Sequence, residues 1–134
     1  YTGNNRTHMI RIPDQGRFEL RLMDGSSNPY LLQAGILAAG LHGMNMKLDP
    51  GEPLTCNMYT DYKNYPDLDK LPDDLEESLE KLEENKIIKD AFSETVINSY
   101  IKLKKKEIRS FFQNENFDKK GPITVWEKLN TLDC

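Results

Sequence analysis

A short run near the start of the chain, from Arg17 to Met23, alternates charged and apolar side chains. A β-strand points successive side chains to opposite faces, so this pattern predicts a strand with one apolar and one charged face. The charged face carries Arg17, Glu19 and Arg21. Neighbours on that face lie roughly 6.6 Å apart, from a rise of about 3.3 Å per residue. Two guanidinium groups can therefore flank one carboxylate over a single surface.

A second β-pattern, Thr7 to Ile12, precedes this strand. Residues 13–16, Pro-Asp-Gln-Gly, separate the two runs and have turn chemistry, because proline fixes φ and glycine tolerates a positive φ. The economical prediction is an antiparallel β-hairpin. Depending on the register, Arg11 joins the charged face of the second strand.

The rest of the chain predicts α-helices. Asn28 and Pro29 suit the cap and first position of a helix that reaches about Lys47. That helix is apolar on most sides, which is typical of a buried helix. Further helices are predicted from Asp73 or Asp74, from about Ser93 to Phe112, and from a capping box at Thr124. The prediction is an α+β fold, an antiparallel β-hairpin followed by several α-helices.

Bulk properties exclude several classes of protein. The 134 residues carry a formal net charge of −4, which argues against a general nucleic-acid binder. The lysines of residues 102–106 predict a solvated helix face, since Glu107 interrupts them. No apolar run is long enough to span a bilayer, so we expect a cytoplasmic protein with no membrane partner. Because the richest chemistry begins at Asn5, we expect a fragment of a longer chain.

The histidines and cysteines give weaker signals. His8 falls among apolar strand residues, which predicts a core histidine, and His42 is predicted to pack or cap a helix. Cys56 and Cys134 lack metal-ligand spacing. We expect free thiols, with a disulfide as the alternative.

Four arginines surround one glutamate within sixteen residues. This is more positive charge than one salt bridge requires. It indicates an anionic ligand, such as a polyphosphate or an acidic metabolite. The glutamate is a hard oxygen ligand of the kind that Mg²⁺ or Mn²⁺ prefers. The alternative is an ion-pair ladder that binds no ligand. The residues are Arg6, Arg11, Arg17, Glu19 and Arg21.

At these residues the sequence resembles the glutamine synthetase family. Residues 5–13 look like its Asn-Arg-Ser/Thr…Ile-Arg-Ile-Pro segment, and residues 17–21 look like its Arg-x-Glu-x-Arg strand. Asp24 with residues 28–30 matches the Asp-x-x-x-Asn-Pro-Tyr signature. The likeness continues at residues 38–41 and 49–51, and residues 126–127 and 130–133 resemble the type III, or GlnT-like, branch, which includes γ-glutamylmethylamide synthetase. Some members have a longer insertion where only residues 14–16 separate the strands here.

The resemblance implies that residues 1–134 form the C-terminal portion of a glutamine synthetase catalytic domain, and that the hairpin belongs to its catalytic sheet. It also implies a role for each charged residue. Arg6 would contact ATP phosphates, glutamate and the γ-glutamyl phosphate, and Arg11 would hold ATP phosphate, both as catalytic residues. Arg17 would lie along the nucleotide, and Arg21 would bind glutamate. Glu19 would be one ligand of the Mg²⁺ or Mn²⁺ that bridges ATP to glutamate.

The implied reaction is ATP-dependent formation of glutamine from L-glutamate and ammonia through γ-glutamyl phosphate. The alternatives are a γ-glutamylmethylamide or other γ-glutamyl-amine synthetase, and a catalytically silent oligomer or regulatory paralogue. Family members build each site across a subunit boundary of a ring, which implies a homo-oligomer, with a dodecamer expected. The chain lacks the other metal ligands, so we expect it to be inactive alone.

Overall fold

An antiparallel β-hairpin opens the computed structural model, which describes residues 1–114 and 121–131. Strand β1 (Ile10–Asp14) pairs with β2 (Arg17–Leu20), and the register places Arg11 opposite Glu19. The turn between the strands contains Gly16 at a φ of 74°, the left-handed conformation that glycine adopts without a Cβ clash. The predicted hairpin and its turn are confirmed.

Six α-helices follow the hairpin in the described part of the chain, so the α+β prediction is confirmed. A single 3₁₀ turn, Tyr62–Asn64, follows the second helix. The helices are α1 (Pro29–Asn45), α2 (Met58–Asp61), α3 (Leu75–Glu84), α4 (Lys86–Phe92), α5 (Glu94–Asn114) and α6 (Val125–Asn130). The packing divides the chain into two compact units.

The first unit contains residues 1–25 and 47–70. Its N-terminal segment lies along β1, where the amide of Thr2 donates to the carbonyl of Ile10 at 3.1 Å. The amide of Ile12 donates back to the carbonyl of Thr2 at 3.0 Å, and Thr2 is buried. The hairpin therefore has an additional backbone neighbour that the hydrophobic pattern did not predict.

The predicted first strand began at Thr7, but β1 begins only at Ile10. The side chain of Asn5 explains the difference. Its Oδ1 accepts hydrogen bonds from the amide and the hydroxyl of Thr7, both at 2.9 Å. Such a local turn competes with an extended backbone, so it delays the start of the strand.

The second unit contains residues 26–46 and 71–134, of which 115–120 and 132–134 lie outside the described residues. Its buried centre consists of Leu79 from α3 with Ile97 and Ile101 from α5. Both helices lie where the sequence predicted helices. Asp74 caps α3 and Thr124 forms a capping box on α6, as the sequence predicted.

Helix α1 corrects one expectation. Its predicted cap is present, since Asn28 accepts from the amides of Tyr30 and Leu31. However, none of its residues is buried, and Leu37 is 66 % exposed. The prediction of a buried helix is wrong for this chain, because α1 packs on α4 while other sides of its apolar surface stay open.

Within residues 1–114 and 121–131, no helix is both long and apolar enough to cross a membrane. Cys56 is a free thiol, as predicted. The thiol predicted at Cys134, and the family likeness at Leu132 and Asp133, lie outside the described residues.

Candidate functional site

The charged face of the hairpin brings two arginines onto one glutamate. The strand register puts Arg11 opposite Glu19, and Arg11 Nη1 lies 2.6 Å from Glu19 Oε2. Arg21 follows β2 on the same face, and its Nη1 lies 2.5 Å from Glu19 Oε1. Each carboxylate oxygen therefore accepts from a different guanidinium group. We call these three residues the Arg–Glu–Arg cluster.

The cluster keeps its carboxylate ionised. Hydrogen bonds from Arg11 and then from Arg21 hold the pKa of Glu19 below its usual range. An ionised carboxylate offers about four lone-pair positions, of which the two arginines use two. The cluster also carries one more positive than negative charge. It can therefore attract an anion while its carboxylate still has room to accept a cation.

Arg11 has a second anchor on the opposite side of its guanidinium group. Its Nε donates to Asn4 Oδ1 at 2.9 Å, and its Nη2 donates to the same oxygen. Its side chain is only 13 % exposed, against 31 % for Arg21. Asn4 was not predicted from the sequence. The adjacent pair Asn4 and Asn5 is a turn signal that could have drawn attention to it.

Arg6 and Arg17 lie outside the cluster. Both are exposed, and no carboxylate among residues 1–114 and 121–131 forms an ion pair with either. Arg17 opens β2 opposite Asp14, while Arg6 lies in the turn before β1. The structure thus brings together three of the five predicted residues and leaves two cations open to solvent.

The described residues do not form a complete metal site. No group of three or more His, Cys, Asp or Glu side chains in this part of the chain is placed to hold an ion. Divalent Mg²⁺ and Mn²⁺ take several oxygen ligands, and Glu19 supplies one carboxylate of that type. The described residues therefore supply one ligand of such a metal site and not a complete set of ligands.

His8 is buried, as predicted for a core histidine. Its Nδ1 lies 3.3 Å from the hydroxyl of Thr7, and its Nε2 has no hydrogen-bond partner in the described structure. Burial lowers the pKa of His8, so the neutral ring is favoured. His42 lies in the last turn of α1, where its carbonyl accepts from the amide of Met46 at 2.9 Å.

Comparisons with known proteins agree on one family. Residues 1–119 match the family described as glutamine synthetase, catalytic domain. The chain is 43 % identical over 133 residues to a glutamine synthetase of Rhizobium meliloti (strain 1021), covering 99 % of this chain and 29 % of that protein. It is 42 % identical over 136 residues to a glutamate–methylamine ligase of Methyloversatilis universalis, covering 99 % and 28 %.

A solved structure described as a GmaS/ADP complex is similar to the whole chain, with a TM-score of 0.79 and 40 % sequence identity. The match covers 100 % of this chain and 29 % of that one. The same fold is present in a structure described as apo GmaS without ligand, with a TM-score of 0.77. The chain thus spans less than a third of the length of these relatives.

Proposed function

The chain belongs to the glutamine synthetase family, and from that premise we propose that it is the C-terminal portion of the catalytic domain of an ATP-dependent ligase. We call the longer protein that contains it the parent. The parent forms glutamine from L-glutamate and ammonia, with γ-glutamyl phosphate as the intermediate. The observation that carries this proposal is the Arg–Glu–Arg cluster, with two unpaired arginines in the same unit.

The charge of this unit suits phosphoryl transfer. Arginine stays protonated in any protein environment and grips phosphate oxygens with a planar fork. Transfer of the γ-phosphoryl group of ATP develops charge on its oxygens, and fixed cations are the main way in which enzymes stabilise that charge. A surplus of arginines is therefore expected where ATP phosphorylates a carboxylate.

We assign the roles residue by residue. Arg6 and Arg11 bind the phosphates of ATP and act as catalytic residues, and Arg17 lies along the nucleotide. Arg6 and Arg21 bind glutamate, and Arg6 also contacts the γ-glutamyl phosphate. Glu19 would be one ligand of a Mg²⁺ or Mn²⁺ ion, which would neutralise negative charge on the reacting phosphate when bound. The remaining ligands come from outside this chain, so the chain alone is inactive.

The partners follow from the same proposal. They are ATP, L-glutamate and ammonia or a small amine, with no role for nucleic acid or a membrane. The parent is proposed to be a ring-forming homo-oligomer, with a dodecamer as the expected state. A cytoplasmic location stays a prediction from the sequence.

A second candidate is a γ-glutamylmethylamide synthetase. A relative named glutamate–methylamine ligase is 42 % identical, nearly the same as the 43 % of a relative named glutamine synthetase. The two reactions share the acyl phosphate and differ only in the amine that attacks it. A silent paralogue is the third candidate. The unpaired Arg6 and Arg17 argue against it, because a silent copy has no catalytic reason to keep this much unpaired positive charge in the same unit as Glu19.

The test is phosphate release by the purified parent with ATP, glutamate and either ammonia or methylamine. Preference for one amine assigns the reaction, and no activity with either amine contradicts the ligase proposal. In the same assay we expect Glu19→Gln to lower turnover at least about 100-fold, a magnitude typical of losing one electrostatic contact in a transition state. Glu52→Gln, an exposed acid in the same unit, is the matched control.

A further inference from the structure

The turn that carries Arg6 is tied to a distant segment of its own unit, residues 56–59. Asn5 Nδ2 donates to the carbonyl of Cys56 at 2.9 Å, and the amide of Met58 donates to Thr7 Oγ1 at 3.0 Å. Tyr59 Oη adds a longer bond to the carbonyl of Arg6 at 3.4 Å. The turn is therefore held at Arg6 through its carbonyl, and directly before and after it through the side chains of Asn5 and Thr7.

The same turn is closed on itself. Asn5 Oδ1 accepts from both the amide and the hydroxyl of Thr7. A threonine hydroxyl has one hydrogen to donate and two lone pairs that accept. Since its hydrogen is donated to Asn5, Thr7 Oγ1 can only accept, and it accepts from the amide of Met58. His8 Nδ1 lies 3.3 Å away. When that ring nitrogen carries the proton, it donates to the second lone pair of the hydroxyl. The hydroxyl of Thr7 is thus the centre of the network.

The side chain of Arg6 contrasts with this network of hydrogen bonds. Arg6 is exposed and forms no ion pair with any residue in the described ranges 1–114 and 121–131. The fixed backbone therefore sets where the side chain of Arg6 begins and the direction in which it leaves the turn. A free cation on a fixed backbone is suited to an anionic ligand, because the backbone part of the ordering cost is met before the ligand arrives.

We propose that Asn5 and Thr7 are positioning residues that fix Arg6 for binding ATP phosphate, with residues 56–59 as their anchor. The inference rests on the proposed function, since it takes the phosphate role of Arg6 from there. Neither residue touches the substrate. Each acts through the backbone of Arg6.

Substitutions of Thr7 in the parent test the proposal. Thr7→Val keeps the shape but leaves the Met58 amide without its acceptor and removes one of the two hydrogen bonds to Asn5 Oδ1, whereas Thr7→Ser keeps the hydroxyl. We expect Thr7→Val to raise KM for ATP and lower kcat, together by about 100-fold in kcat/KM, as for a displaced catalytic group. KM for glutamate should rise less than KM for ATP, because Arg21 also binds glutamate.

Thr7→Ser should restore most of kcat/KM for ATP. Thr55→Val is the matched control, since Thr55 is exposed and its hydroxyl has no hydrogen bond among the described residues. Equal damage by Thr7→Ser and Thr7→Val, or an unchanged KM for ATP in Thr7→Val, would overturn the proposal. Equal increases in KM for both substrates would also overturn it, because a general loss of structure has no preference for ATP.

Calorimetric measurement of ATP binding distinguishes a failure of this proposal from a failure of the ligase proposal. If the wild-type parent lacks ligase activity but Thr7→Val weakens ATP binding about tenfold, the positioning role stands and the proposed reaction falls. Tyr59→Phe serves if Thr7→Val fails to fold, because Tyr59 is 72 % exposed. We expect it to weaken ATP binding about two- to threefold, consistent with one weak hydrogen bond, and no change would count against the anchor.

Discussion

At the scale of single residues, the Arg–Glu–Arg cluster differs from an ordinary surface ion pair. Exposed pairs contribute little to stability, typically about 0–1 kcal/mol, so stability alone gives little reason for two arginines on one acid. Arg11 is also the least exposed of the three side chains and bonds Asn4 as well as Glu19. Two partners therefore hold Arg11 in a fixed plane, which supports the proposal that it is part of a binding surface.

The planar fork of Arg11 leads to a prediction for the parent. Lysine at this position can reach Glu19, but one ammonium group cannot also reproduce the two bonds to Asn4. We expect Arg11→Lys to lower kcat/KM for ATP by about tenfold or more, from steady-state kinetics. Arg109→Lys, an exposed position in α5, should leave the kinetics unchanged. Equal kinetics for wild type and Arg11→Lys would remove Arg11 from the proposed site.

The burial of His8 predicts a pH dependence of stability. Burial lowers its pKa in the folded protein, so the unfolded chain binds the proton more readily. The folded state is therefore most stable above the ordinary pKa of about 6.5, and stability falls as pH decreases from there towards the lowered value. The slope for one proton is at most about 1.4 kcal/mol per pH unit.

Thermal unfolding of the parent between about pH 7.5 and 5.5 measures this effect. The midpoint of the wild type should fall more than that of His8→Gln, which has no titrating group there. Parallel curves for the two proteins would show that His8 does not contribute.

At the scale of elements, turns and helix starts could be predicted from the sequence wherever the local residues favour a single backbone conformation. The alternation of residues 17–23 and Gly16 predicted the hairpin, and the side chains of Asn28, Asp74 and Thr124 predicted three helix starts. Contacts between segments that are distant in sequence could not be predicted. Asn5 reaches Cys56 across 51 positions, and no local pattern predicts that contact.

Helix α5 allows a prediction about the second unit. Ile101 lies in the small buried centre with Leu79 and Ile97, while Leu103 on the same helix is 61 % exposed. Truncating a buried isoleucine costs about 2–5 kcal/mol through lost transfer energy and the cavity left behind. We expect Ile101→Ala to lower the thermal midpoint of the parent by several degrees. Leu103→Ala should change it little, and similar losses in both variants would contradict this packing.

At the scale of the whole molecule, the candidate site was only partly predictable. The sequence predicted that Glu19 and Arg21 share a face, because strand periodicity alone determines that relation, whereas the place of Arg11 depended on the strand register. It could not place Arg6, whose turn depends on residues 56–59, or complete a metal site from one carboxylate. Those features depend on groups far away in the sequence. In the proposed parent, many of those groups belong to the two thirds of the relatives that this chain does not span.

The exposed surface of α1 gives a prediction that separates the chain from its parent. Leu37 is 66 % and Met44 is 69 % exposed, and the hairpin exposes Phe18 at 66 %. Apolar surface of this extent is a liability in an isolated chain, so we expect the 134 residues alone to bind a hydrophobic dye and to aggregate. Size-exclusion chromatography with dye fluorescence measures both, and a sharp reversible melt of a monomer would contradict the expectation.

Polar substitution of α1 is the decisive comparison. If the rest of the parent covers this helix, Leu37→Ser with Met44→Ser should reduce dye binding by the isolated chain but destabilise the parent. Loss of two buried apolar side chains would cost the parent several kcal/mol, since each contributes about 1.5–3 kcal/mol when fully buried. Gln33→Ser, an exposed polar position in the same helix, controls for the change in helix propensity. A parent that tolerates the double substitution as well as Gln33→Ser must leave α1 exposed, and the helix would then need another explanation for its apolar surface.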